Sequence, residues 1–390
     1  MTVLPVEQPR YNGLTEARPT LPADAYRTER AFRTDLESIW YREWVYAFRS
    51  STLARPRDFR LFRVGDQEIL ILRDEDGALR AFHNACRHRG AALRTEDEGR
   101  LKSRLIVCPY HAWSYSTRGD LVRVPSRSCP ASFEKSDHGL HAVAVAEWRG
   151  FVFVNLDAAP GTPIDGSFDG DPDTLTNWPL ERLESAHVLR KTMRCNWKVF
   201  WENYNECLHC PGVHPELSAL VPIYGRGLMA RQDDPDWEAH ANDDAPQFAG
   251  TLRPGAETWS ADGAAHGRRF PELTDADRAA GQTYVTHLPS LFVVGHVDYV
   301  RAVSLRPLGP TETELTAEWF FTPETKTASA AELDNIVSFG ALVLQQDAAI
   351  CEVNQRGLAS RRHERGVLMP EEYEIARFHD WVSDRSRYTA

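Results

Sequence analysis

The chain has 390 residues, 42% hydrophobic and 26% charged, and a formal net charge of −11. That length and apolar fraction can bury a full core in two or three domains, while the acidic balance argues against a nucleic-acid partner and offers no basic patch to an anionic membrane. No apolar run approaches the roughly 20 residues that span a bilayer, and Met1 to Arg10 lacks a charged-then-apolar export signal, so a cytoplasmic protein with no membrane partner is expected.

In chain order, the segment up to about residue 20 is rich in proline and polar residues and reads as an extended arm. Residues 24–46, with Ala31, Phe32, Leu36, Ile39 and Trp40, predict one or two helices. Residues 59–64, 68–72 and 79–82 are short β-rich runs punctuated by turn signals at Gly65-Asp66 and Asp76-Gly77. They predict a small antiparallel domain ending near Asn155, after the strand at 151–154, with residues 160–166 as a linker. Beyond lies a larger α+β region. It is expected to hold a helix from about Asn196, strands at 283–294, 299–306 and 314–322, and a long helix over 330–356. The polar stretch 233–268 reads as long loops, either covering a pocket or simply solvated.

The small domain carries Cys86-Arg87-His88 and, nineteen residues on, Cys108-Pro109-Tyr110-His111. Each short loop can present one sulfur and one nitrogen to a shared point. Two thiolates on one iron and two imidazoles on the other would hold a [2Fe-2S] cluster asymmetrically. Zinc accepts the same donor set, but its usual sites pair Cys with Cys and His with His, whereas each half here is mixed. Of the seven cysteines, the remaining Cys129, Cys195, Cys207, Cys210 and Cys351 form an odd set, read as small buried or semi-buried side chains rather than a disulfide framework.

The second chemical segment runs from Asn196 to His214. At about 100° per residue, a helix there puts Trp197, Trp201, Tyr204 and Leu208 on one core face and Glu202, Glu206 and His209 on the other. His209 and His214 would stand about 140° apart on an unbroken helix. Pro211-Gly212 between them is suited to break it and bring the imidazoles together. Two imidazoles and a carboxylate on one face of an iron leave positions open for dioxygen. Cys207, His209, Cys210 and His214 could alternatively bind structural zinc.

The stretches 86–90 and 108–115 resemble the two cluster-binding boxes of Rieske oxygenases. Ala91 and Tyr110 stand where respiratory Rieske proteins carry additional cysteines, so the resemblance is to the oxygenase branch. Residues 202–214 resemble that family's mononuclear-iron motif. The resemblance implies Cys86, His88, Cys108 and His111 as cluster ligands, His209 and His214 as iron(II) ligands and Glu206 as the bridging carboxylate. It assigns the third iron ligand to Asp347 within Gln345-Gln346-Asp347, with Glu352 as the alternative. The fold implied is α+β: a small all-β Rieske domain (46–160) after an arm with helices (1–45), and a catalytic domain (161–390) with an antiparallel sheet packed by helices in a helix-grip arrangement. Glutamate at the bridging position and Cys207-Leu208-His209-Cys210 look like the carnitine, glycine betaine and stachydrine oxygenase group. That implies a terminal monooxygenase and N-demethylase of methylated ammonium compounds. The alternatives are a ring-hydroxylating dioxygenase of an aromatic substrate, or an electron-transfer or zinc-stabilised binding protein. The resemblance further implies O2, a small-molecule substrate, an NAD(P)H-dependent flavin or ferredoxin-type reductase and a homotrimer.

Overall fold

The structure, a computed structural model, describes residues 10–326, 330–386 and 388. The chain divides into two compact units, the smaller built from Leu36–Gly170 and His287–Leu291, the larger from the chain up to Asp35, Asp171–Thr286 and the residues from Phe292 on.

The smaller unit contains strands β1 (Val45–Arg49), β2 (Asp58–Val64), β3 (Gln67–Arg73), β4 (Leu79–His83), β5 (Glu98–Arg100), β6 (Leu105–Val107), β7 (Ser114–Ser116), β8 (Leu121–Arg123), β9 (Ala142–Trp148) and β10 (Phe151–Asn155). Seven of them form one sheet in the order β1-β10-β9-β4-β3-β2-β5, and β6-β7-β8 form another. The β2–β3 hairpin closes on Gly65-Asp66, Val64 pairing with Gln67, and Gly65 takes the positive φ of 56° that a two-residue turn demands. Ile69 to Leu72 are all fully buried, so β3 is covered on both faces. Leu70, Leu72, Phe82, Ile106 and Tyr115 form one core with Cys86 and Cys108.

The larger unit holds β11 (Glu184–Met193), β12 (Gln282–His287), β13 (Leu291–His296), β14 (Val300–Gly309) and β15 (Glu312–Phe321) in the order β11-β15-β14-β13-β12. Its main helices are α1 (Glu29–Asp35), α2 (Trp197–Tyr204), α3 (Cys210–Val213), α4 (Pro215–Leu220), α5 (Ala330–Leu358) and α6 (Tyr373–Ser386). Helix α2 starts at Asn196, whose side chain accepts from the Lys198 N–H. It is anchored by a buried ion pair between Lys198 and Asp35, and Asp35 also accepts from Trp197 Nε1 at 3.0 Å and Tyr388 Oη at 2.8 Å. Burial pulls the Lys198 pKa down, and Asp35 opposes that pull.

Several expectations are corrected. Residues 24–46 form a 3₁₀ turn, α1 and a π turn over Leu36–Trp40, and Tyr46 already lies in β1. The strand expected at 283–294 is two strands, parted at Leu288-Pro289-Ser290 because proline cannot donate to a ladder. Residues 1–9 of the expected arm lie outside the described residues. Its described part is tied down: Arg18–Pro19 pairs with Val367–Leu368, and Leu14 N–H donates to Pro370 C=O at 2.9 Å. Strands β9 and β11, masked in the sequence by charged and small residues, were not expected. Leu333–Leu358 is, by length and composition, apolar enough to cross a membrane, against the expectation of no such run, because only sparse charges interrupt it.

Candidate functional site

In the smaller unit the two cysteine loops are built alike. Cys86 N–H donates to Ala91 C=O at 2.8 Å, and Cys108 N–H to Trp113 C=O at 2.8 Å. Gly90 and Ala112, each four residues after its cysteine, donate back to that cysteine's carbonyl and take φ of 78° and 55°. Both sulfurs are buried. The His88 and His111 rings meet edge-to-face at 4.7 Å, and His88 stacks on Trp113 at 4.9 Å. Arg89 Nη2 lies 2.7 Å from His111 Nε2, so this arginine meets a histidine rather than solvent alone. Tyr115 Oη lies 3.2 Å from Cys86 Sγ and accepts from the Arg87 N–H at 3.0 Å. Burial, opposed by Tyr115 and aided by the neighbouring Cys108, pushes the Cys86 thiol pKa up. Burial with Arg89 and His88 holds the His111 pKa down. Two adjacent buried thiols and two imidazoles fit an iron–sulfur cluster, whose positive charge would stabilise both thiolates.

In the larger unit the helix expected through His209 ends at Tyr204. Glu206 and His209 therefore sit on the connecting turn, and Leu208, expected in the core, is 42% exposed. The break falls before His209, not at Pro211-Gly212. Proline occupies the first turn of α3, where its missing N–H costs nothing, and His209 and His214 cap the two ends of that single turn. Glu202, expected on the functional face, instead accepts from Tyr26 Oη at 2.6 Å and meets His379 at 2.9 Å.

His209, His214 and Asp347, the last from α5, bring their ligand atoms together. His214 Nε2 is 2.9 Å from Asp347 Oδ1, His209 Nε2 is 3.6 Å from it, and the two Nε2 atoms are 3.2 Å apart. Donors about 2.1 Å from one metal stand about 3 Å apart at right angles, so the triangle fits a single ion. Both imidazoles are oriented from behind. His209 Nδ1–H donates to Glu206 Oε1 at 2.5 Å, and His214 Nδ1–H to Gln346 Oε1 at 2.8 Å, whose Nε2 donates to Glu216 Oε2 at 3.1 Å. Each Nε2 is thereby left as the metal-facing atom. Burial disfavours the charged form of His209, but Asp347 and Glu206 outweigh it and push its pKa up to about 9. His214 shifts up for similar reasons, while burial raises and the two histidines lower Asp347, with a net fall. The site is thus organised to hold positive charge.

Glu352, the alternative third ligand, is paired with Arg194 at 2.9 Å instead. Cys207 and Cys210 are joined by a disulfide, so they offer no thiolates to zinc, and the expectation that both are unpaired is corrected. Cys129 is exposed rather than buried. Sequence reasoning missed the orienting role of Gln346, which carries no signal beyond its place beside Asp347. A cavity next to the triad is walled by Phe200, Tyr204, Tyr224, Trp259, Tyr284 and Phe292, with Arg301 among its polar members. Trp259 comes from the 233–268 stretch.

Two donor sets, one suited to a cluster and one to a single ion, mark an oxygenase that carries its own electron-transfer domain. Residues 178–387 match the ring hydroxylating alpha subunit (catalytic domain) family, and residues 43–141 match the Rieske [2Fe-2S] domain. The chain is 30% identical over 387 residues to the glycine betaine monooxygenase oxygenase subunit of Chromohalobacter salexigens, covering 94% of this chain and 85% of that one. It is 27% identical to the chloroplastic choline monooxygenase of Arabidopsis thaliana, covering 93% and 82%. The quaternary ammonium Rieske monooxygenase CntA shares the fold, with a TM-score of 0.71 over 96% of each chain at 23% identity.

The chain belongs to the Rieske non-haem iron oxygenases, as an alpha subunit with its catalytic domain. It is an oxidoreductase whose cofactors are a Rieske [2Fe-2S] cluster and a mononuclear iron, working with a reductase on a small molecule and O2. The electron-transfer and zinc-module readings fall with that membership.

Proposed function

We propose that this oxygenase is a monooxygenase that N-demethylates a methylated ammonium compound. The observation that carries the reading is the aromatic wall beside the triad: Tyr204 stacks on Phe292 at 4.1 Å and meets Tyr284 edge-on at 6.5 Å. Such faces attract a cation, and Asp347 and Glu206 add negative charge to the same cavity. The relatives named for glycine betaine and choline support it.

In this reading Cys86, His88, Cys108 and His111 hold the cluster, and His209, His214 and Asp347 hold the iron(II). Residues 46–160 form the Rieske domain and 161–390 the catalytic domain. The cluster supplies single electrons and the iron activates dioxygen. Glu206, bonded to His209, is the relay between a neighbouring subunit's cluster and the iron, within a cytoplasmic homotrimer fed by an NAD(P)H-dependent flavin or ferredoxin-type reductase. The aromatic wall orients an N-methyl group towards the triad. Two electrons, two protons and O2 convert that methyl to N-hydroxymethyl and water, and the hydroxymethyl group then collapses to formaldehyde, a proton and the demethylated amine.

A substrate screen with such a reductase tests this. Formaldehyde should appear in step with O2 consumption for methylated ammonium compounds and not for aromatic carboxylates. Ring hydroxylation without formaldehyde would overturn the reading.

A further inference from the structure

Arg301, the second residue of β14, lies opposite Trp319 in the sheet register and is 4% exposed. Among the described residues its Nε and Nη1 have no hydrogen-bond partner, and no carboxylate forms an ion pair with it. The nearby Asp298 is engaged elsewhere, accepting from Thr258 Oγ1 at 2.9 Å and from the Gly267 N–H at 2.8 Å. A buried charge without a partner is costly, so the fold retains an unmet cation.

Arg301 is not the only unmet donor. The guanidinium lies 5.6 Å from the Trp259 ring, and among the described residues the buried indole N–H groups of Trp259 and Trp319 also lack acceptors, while neither ring nitrogen of His296 has a hydrogen-bond partner. Arg301 and Trp259 both line the cavity that contains His209, His214 and Asp347. An acceptor supplied from outside the chain is what this end of the cavity lacks.

Helix α5 sets the spacing. A Cβ on Gly340 would lie 3.2 Å from Arg301 Nη1, so the guanidinium rests against the helix there. Asp347 is seven residues further, two turns or about 10 Å along the axis. The cavity is therefore cationic at one end and acidic at the other.

Resting on the methylammonium reading above, we propose that Arg301, with Trp259, forms a carboxylate subsite, so that the substrate is a betaine carrying its own carboxylate rather than a methylated amino alcohol. The carboxylate accepts from Arg301 and from the Trp259 indole N–H, and its tether directs the ammonium methyl groups to the acidic, metal-binding end. An alcohol such as choline leaves the Arg301 charge uncompensated and brings a second cation towards it.

The test is anaerobic calorimetric binding of glycine betaine and choline to the holoprotein, beside formaldehyde release. The wild type should bind and demethylate glycine betaine in preference to choline. Arg301→Gln should weaken glycine betaine binding roughly 10- to 100-fold, the range for a charge-assisted hydrogen bond, and leave choline binding undiminished or tighter, with Arg301→Lys recovering part of the glycine betaine loss. Should Arg301→Gln lose cluster absorbance or melting temperature, Trp259→Phe, which keeps an aromatic face and removes the indole N–H, carries the test and must weaken glycine betaine more than choline. Equal loss for both ligands, or equal wild-type affinity for both, overturns the subsite while leaving the demethylase reading standing. Formaldehyde from neither compound strikes the demethylase reading itself.

Discussion

Gln346 lies outside the His209, His214 and Asp347 triad but holds one of its rings in place. Its amide oxygen accepts from His214 Nδ1–H, and its amide N–H is occupied by Glu216, so the ring is held in one tautomer and one orientation. Gln346→Leu keeps the volume and removes the acceptor. It should weaken mononuclear iron binding about 10- to 100-fold, read by chelator competition, with the cluster absorbance unchanged. Unchanged iron affinity would mean that packing alone orients His214. His209 and His214 could be read together from sequence because they stand five positions apart with Pro211-Gly212 between them, whereas Asp347 needed a family resemblance. Arg301 was out of reach, since its place in the cavity follows from strand register, which no local pattern encodes.

At the scale of the element, the paired cysteine loops store strain unequally. Gly90 and Ala112 occupy equivalent left-handed positions, where a Cβ costs about 1 to 2 kcal/mol. A Cβ on Gly90 meets nothing within 4 Å, so Gly90→Ala isolates the backbone term and should lower the stability of the smaller unit by about 1 kcal/mol. Ala112→Gly should raise it by about 0.5 to 1 kcal/mol. Thermal melting followed at the cluster absorbance measures both, and the same sign for the two would remove the equivalence. The cysteine boxes and the Gly65-Asp66 hairpin were legible because each is a local device. The end of α2 was not: Asn205, Glu206 and Cys207 continue an apparent helical pattern, and the chain leaves it to place His209 against Glu206 and His214.

For the whole molecule, the smaller unit holds the cysteine loops and the larger unit holds the triad, the aromatic wall and Arg301. A small antiparallel domain followed by a larger α+β region was readable from strand runs and turn signals, and the resemblance of the cysteine boxes identified the small domain as Rieske. The charge polarity of the cavity was not, because it is assembled from α2, α5, β14 and the 233–268 stretch. The central claim, that electrons from the cluster serve oxidation at the triad through Glu206, is tested most directly by single turnover. Protein with a reduced cluster and bound iron is mixed with glycine betaine and O2, and formaldehyde is counted. The wild type should release formaldehyde as its cluster oxidises. Glu206→Gln, which still accepts from His209, should keep both metal centres and the cluster spectrum while releasing none. Formaldehyde from Glu206→Gln at the wild-type rate would contradict the account.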